Sequence, residues 1–185
     1  MRELVIPTRP DLSLRFPETG DAGELAAVLA ANRVELERWS PHPSERFYTV
    51  AGQTEQIRQT LLGYEAGAVV QWVIRHDDRI VGDISIFLIN RGALLSATVG
   101  YWVDAAARDQ GIASAALAAI LPVARDALGL HRLEAGASPD NPASLRVLEK
   151  AGFSRIGLAP RYLLVGSEWR DQVLYQRLLD DAQLG

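Results

Sequence analysis

The sequence predicts an α/β fold: one domain over residues 1–185, with a mixed, mostly antiparallel sheet of about seven strands flanked by about four helices. Three observations predict it. Strand-like stretches lie at both ends and in the middle of the chain, and helical patterns separate them. The order strand, helix, strand across 94–138 implies one parallel pair with the helix as its crossover. Finally, 185 residues with 48% hydrophobic and 23% charged side chains fit one sizeable core rather than two.

The elements follow in order. "DLSLRFP", residues 11–17, alternates apolar and polar residues as a half-buried strand does. Asp21 stands three residues before Glu24, a capping-box-like start for a helix with Leu25, Val28, Leu29 and Leu36 on one face. That helix is expected to end near Trp39, where "SPHP" supplies two prolines. A second helix is expected over 53–65, with Ile57, Leu61, Leu62 and Tyr64 as its apolar set. Residues 68–75 and 79–90 read as two strands joined by a tight turn, and 94–104 as a fourth strand rich in β-branched and aromatic residues. The third helix runs from about Gly111 to Leu128 with a kink expected at Pro122. "HRLEAGAS", 131–138, is a fifth strand. "NPASLRVLEKAGF", 141–153, is a short helix with Pro142 in its first turn and Gly152 at its stop. Residues 161–179 close the chain as a hairpin around "GSEWRD".

Composition removes several function classes. A formal charge of −4 with no basic stripe argues against general nucleic-acid binding, while a basic protein or an amine remains a compatible partner. With no cysteine there are no disulfides and no thiolate nucleophile, and three scattered histidines offer no metal-ligand spacing. No apolar run approaches the roughly 20 residues of a membrane span, and the expectation is a cytoplasmic, unanchored protein. The four tryptophans are expected in the core or in pocket walls rather than as a base-stacking platform.

One stretch raises a chemical question. In "RDQGIASAALAAILPVARDALG", Gly111 stands immediately before a good helix. Packing could require it. Alternatively, a glycine there lets the backbone approach an anion, so that Arg108, Gln110, Gly111, Ile112, Ala113 and Ser114 form a cradle of amides at the positive end of the helix dipole. The three-glycine dinucleotide pattern and the Walker lysine are both absent, so neither the Rossmann nor the P-loop reading holds.

Arg108 to Ala113 resembles the pyrophosphate loop of the GNAT N-acetyltransferases, (Q/R)-x-x-G-x-(G/A). "GYWVD", Gly100 to Asp104, is similar to that family's fourth strand, which splays from the fifth and pairs with the pantetheine arm. This implies cofactor contacts at Tyr101, Trp102 and Val103. "NPASLRVLEKAGF" resembles the family's N-x-x-S-x-x-(V/L)-x-E-K-x-G-F signature. It points to the ribosomal-protein-alanine N-acetyltransferase-like subgroup, and "ELERWSPHP" resembles that subgroup's turn near the acceptor, implying roles for Trp39 and His42.

The resemblance implies acetyl-CoA as cosubstrate, no metal, and a ternary complex in which a primary amine attacks the thioester directly. The acceptor is expected to be a protein N-terminus; a small amine acceptor and a non-catalytic acyl-CoA-binding module are the rival readings, and a homodimer is compatible. Ser144 would protonate the departing thiolate, although a first-turn helix serine needs no such role. Asn141 could contact cofactor or cap its helix, or do both. A backbone amide near Trp102 or Val103 would meet the oxyanion. The base stays open: the acid often found after "GF" is replaced by Ile156 and Gly157 here. Glu134 is the nearest alternative, with a solvated strand carboxylate as its plain reading, and Asp83 and His42 follow it. Glu168 and Asp171 at the final hairpin could bind a cationic acceptor or simply be solvated.

Overall fold

Period-two segments of this chain pair into a single sheet of eight strands among the described residues, 3–41 and 44–179, of the computed structural model. The strands are β1 (Glu3–Val5), β2 (Leu12–Arg15), β3 (Val69–His76), β4 (Arg79–Asn90), β5 (Ser96–Val103), β6 (Arg132–Ala137), β7 (Ser154–Val165) and β8 (Glu168–Leu178). They lie in the order β1-β2-β3-β4-β5-β6-β8-β7. All neighbours are antiparallel except β5 and β6. The helices are α1 (Ala22–Ala31), α2 (Arg33–Trp39), α3 (Val50–Glu65), α4 (Ile112–Pro122) and α5 (Pro142–Lys150).

Alternation sorts the sheet residues onto two faces. On one face Trp72, Ile74, Ile84, Ile86, Val99 and Leu133 pack against Ile112, Ala116, Leu117 and Ile120 of α4 and Leu148 of α5. On the other, Val73, Ile80 and Trp102 meet Leu25 and Leu29 of α1 and Ile57 of α3. Trp72 has none of its surface exposed, and the Phe16 ring meets it edge-on at 5.9 Å between centroids. Such pairing adds to what area burial alone contributes.

The structure departs from the sequence reading in five places. A short β1 adds an eighth strand; three residues are too few for a periodicity to show. The expected helix from Glu24 to Trp39 is two helices, because Asn32 leaves helical geometry to bond elsewhere. Its side-chain amide donates to Val28 O and to Asp104 Oδ1, each at 2.8 Å, while its Oδ1 accepts from Ala105 N at 2.8 Å. The capping box lies one turn earlier, between Glu18 and Asp21, and the Glu24 carboxylate instead accepts from Ile80 N at 2.7 Å. The α-helix expected to run on to Leu128 ends at Pro122, where the chain widens into a π-turn over Val123–Ala127, closed by Leu128 N donating to Val123 O. Finally, β7 begins at Ser154, not near Arg161; a bulge between Ala159 and Leu163 with Arg161 at φ 49° hides the earlier half of the strand from a periodicity count.

Strands β5 and β6 stay paired only from Ser96 to Thr98 against Arg132 to Glu134. Beyond that point β5 continues along β4 and β6 continues along β8. The sheet therefore opens into a gap beside Gly100 to Val103, and the two chemical motifs of the sequence border it.

Candidate active site

The loop after β5 turns through Ala105–Ala107 and enters α4 at Gly111. Asp109 sits at φ 61° and Gly111 at φ 73°, both left-handed. A Cβ built on Gly111 would meet only Arg9 Nη1, at 3.9 Å, so packing does not demand this glycine; its backbone geometry does. The amides of Asp109 to Ser114 find no acceptor among the described residues, and they lie at the positive end of α4. Arg9, which the sequence reading missed, braces the turn: Nη1 donates to Gln110 O at 2.8 Å while its ion pair with Asp11 holds the guanidinium at 2.6 Å. Nothing in the sequence links positions 9 and 110. The Arg108 guanidinium lies 3.4 Å from Glu35 of α2, whose Oε1 also accepts from Trp39 Nε1 at 2.7 Å. Ile112 is buried, Gln110 is exposed, and Ala113 and Ser114 are half-buried.

At the gap, Tyr101 of β5 reaches α5. Its hydroxyl lies 3.1 Å from Ser144 Oγ and donates to Ser144 O at 3.3 Å. Burial pushes the Tyr101 phenol up to about 12, against the opposing pull of the Ser144 hydrogen bond, so it remains protonated and able to donate. Asn141 is the N-cap of α5, its Oδ1 accepting from Ser144 N at 3.1 Å. The capping reading of Asn141 thus holds, and the cap fixes Ser144 in the first turn beside Tyr101. The sequence suggested Tyr101 only as a cofactor-strand residue; a partner 43 positions away gives no local signal.

On the opposite face a cavity of about 400 Å³ lies under α1 and α3. Its polar wall comprises Gln53, Gln56, Gln59 and Thr60 of α3, Gln71 of β3 and Ser85 of β4, with Asp83 of β4 the single ionisable group lining it among the described residues. Trp102 Nε1 donates to Asp83 Oδ2 at 2.6 Å, and Thr60 Oγ1 donates to Gln71 Oε1 at 3.0 Å. Burial pushes the Asp83 carboxyl up to about 6, against hydrogen bonds from Trp102 and Gln71 that favour its ionised form.

The remaining candidates scatter. Glu134 is half-buried on β6, on the face of the cavity, 3.8 Å from Arg132. Glu168 is exposed and ion-paired with Arg170 at 2.8 Å. Asp171 Oδ1 accepts from Arg161 N at 2.8 Å and so braces the β7 bulge. His42 lies outside the described residues. Trp39 lines a second hollow of about 80 Å³ with Arg38, Ser138, Asp140 and Gln172. Val103 ends β5 opposite Gly82. Among the described residues no group of three His, Cys, Asp or Glu could hold a metal ion, and no helix is long and apolar enough to cross a membrane.

The sheet thus opens between two parallel strands, with an amide cradle at one rim and a hydroxyl pair at the other. Residues 11–154 match the model of the acetyltransferase (GNAT) domain, and the chain belongs to that family. It is 38% identical over 169 residues to the Bacillus subtilis protein named "Probable N-acetyltransferase YjcK", covering 90% of this chain and 93% of that one. It is 27% identical, again over 169 residues, to the [ribosomal protein uS5]-alanine N-acetyltransferase of Escherichia coli, covering 90% of this chain and 87% of that protein. The solved structure of Mycobacterium smegmatis RimJ in complex with CoA-disulfide superposes with a TM-score of 0.87 at 34% identity, over 90% of this chain and 81% of that one.

Proposed function

We propose that this protein is an acetyl-CoA-dependent N-acetyltransferase whose acceptor is the N-terminal α-amine of a protein, a ribosomal protein being the case its relatives name. The observation that carries the cofactor reading is the row of unpaired amides from Asp109 to Ser114 at a left-handed Gly111, which suits a pyrophosphate in both charge and geometry. Acetyl-CoA supplies an activated acetyl thioester. The chain's own residues then have three tasks: the loop binds the phosphates, the free edge of β5 from Gly100 to Val103 offers backbone groups to the arm, and the Tyr101–Ser144 pair holds a proton for the sulfur. Trp39 and the hollow beside it lie on the acceptor side in this reading. A ribosomal acceptor would place the protein in the cytoplasm, with residues 1–185 acting as one catalytic domain.

Thiol release tests this directly. Peptides beginning with alanine or serine should be turned over with kcat/KM at least tenfold above polyamines, amino acids and aminoglycosides. A preference for one of those small amines would replace the acceptor assignment. No turnover with any amine, despite tight acetyl-CoA binding, would leave a binding module.

A further inference from the structure

We propose that Asp83 takes the proton released by the acceptor ammonium, supplying the base that this chain lacks after Gly152 and Phe153. The inference rests on the acetyltransferase reading and names the acid–base partner within it. Register places the residue: Asp83 pairs with Trp102, and Ser85 pairs with Gly100, the point where β5 borders the gap. Asp83 and Ser85 line the cavity and Trp102 packs with α1 and α3, so the polar cavity begins one strand in from the gap. The Phe87 ring lies over Gly100, 3.1 Å from where a Cβ there would stand, so Phe87 and Ser85 line the end of the cavity nearest the gap. A cavity of about 400 Å³ walled by glutamines and Thr60 has room and partners for bridging water between Asp83 and the gap.

Asp83 differs from Asp21, Glu37, Glu45 and Asp78, each of which is ion-paired with an arginine. Glu24 and Asp104, like Asp83, are held by neutral donors, the Ile80 amide and Asn32, but neither lines the cavity. No cation faces Asp83 from α1, α3, β3 or β5; its partners are the neutral donors of Trp102 and Gln71, which fix its orientation and leave its charge uncompensated. An uncompensated carboxylate in a cavity wall is costly to keep, and an ammonium acceptor would compensate it.

The protons balance. The acceptor arrives as R–NH3+ and gives one proton to the Asp83 carboxylate through the cavity water. The free amine forms the C–N bond as the C–S bond breaks. The thiolate takes a proton from the Tyr101–Ser144 pair, which recovers the second proton lost by nitrogen, and Asp83 returns its proton to solvent.

The test is kcat/KM against pH for the wild type and Asp83→Asn, using whichever amine the wild type turns over, beside the 15N–1H indole signal of Trp102 assigned through Trp102→Phe. The wild type should keep its acidic limb near pH 6. Asp83→Asn should lose roughly 10²-fold at pH 7, and its limb should move up to the acceptor amine's own pKa, about 8 for an α-amine, with acetyl-CoA affinity unchanged. The Trp102 signal should titrate near pH 6 in the wild type, shift to lower pH on adding an alanine-initiated peptide, and stay flat in Asp83→Asn. Retention of the wild-type rate and limb by Asp83→Asn overturns the proposal. If no amine is turned over, the indole signal decides: a midpoint lowered by the peptide supports Asp83 as the ammonium partner, and a signal unmoved by pH or peptide overturns it, separately from the choice of acceptor.

Discussion

The Ser144 and Tyr101 hydroxyls lie 3.1 Å apart, with Ser144 O a second acceptor for the phenol at 3.3 Å, and the roles of the two hydroxyls follow from what holds them. The Asn141 cap and the α5 backbone fix Ser144, whereas burial keeps the Tyr101 phenol protonated. Ser144→Ala should therefore lower kcat by roughly ten- to ten-thousand-fold with acetyl-CoA affinity nearly intact. Tyr101→Phe should lower it less, since Ser144 keeps its own proton. Single-turnover kinetics checks both, and an unchanged chemical step in Ser144→Ala would remove it from the mechanism. Asp83 makes a separate prediction about stability. Its folded pKa of about 6 lies above the ordinary 3.8, so the stability it contributes is full below about pH 4 and is lost as pH rises through 6. That loss is roughly 2–3 kcal/mol, at about 1.4 kcal/mol per pH unit. Urea melts at pH 4 to 7 should thus show Asp83→Asn gaining on the wild type as pH rises, and parallel curves would contradict the burial that sets this carboxyl.

At the scale of elements, the junction of α1 and α2 is held by one side chain. Asn32 is 5% exposed; one of its three side-chain hydrogen bonds goes back to Val28 O of α1, and the other two tie the helix break to Asp104 and Ala105 just after β5. Asn32→Ala would leave the Ala105 amide without its partner and should cost roughly 2–3 kcal/mol in denaturant melts. Because Asp104 precedes the phosphate loop, acetyl-CoA affinity should fall with it; a variant as stable as the wild type would show that the break is set elsewhere. Elements whose signals are local were legible in the sequence: the Gly111 entry to α4, the Asn141–Pro142 start of α5, and the strand pairs around 68–90. Contacts between distant positions were not. Arg9 with Gln110, Tyr101 with Ser144, Asp83 with Trp102 and Asn32 with Asp104 each join residues that only the sheet and its crossovers bring together. The β7 bulge, where Pro160 to Tyr162 stand opposite Asp171 alone, and the three-residue β1 failed for another reason: each interrupts or undercuts the period on which strand recognition depends.

For the whole molecule, the organising feature is the divergence of β5 from β6 after Thr98 and Glu134. The amide cradle and the Ser144–Tyr101 pair stand on its α4–α5 face and the Asp83 cavity on its α1–α3 face; in the function proposed, the thioester would enter from the first and the amine from the second. In the function proposed, the loop at the rim of this gap closes on the pyrophosphate of acetyl-CoA. Calorimetric titration of acetyl-CoA into the wild type and Gly111→Val tests it most directly, with circular dichroism confirming that the variant folds. A Cβ at Gly111 has room, so the variant should fold, but a β-branched residue resists φ 73° and the amides would lose their common aim. Affinity should fall by roughly 10²-fold or more for acetyl-CoA and equally for dephospho-CoA, since the contact is to the pyrophosphate. A folded Gly111→Val protein that binds acetyl-CoA as tightly as the wild type would contradict it.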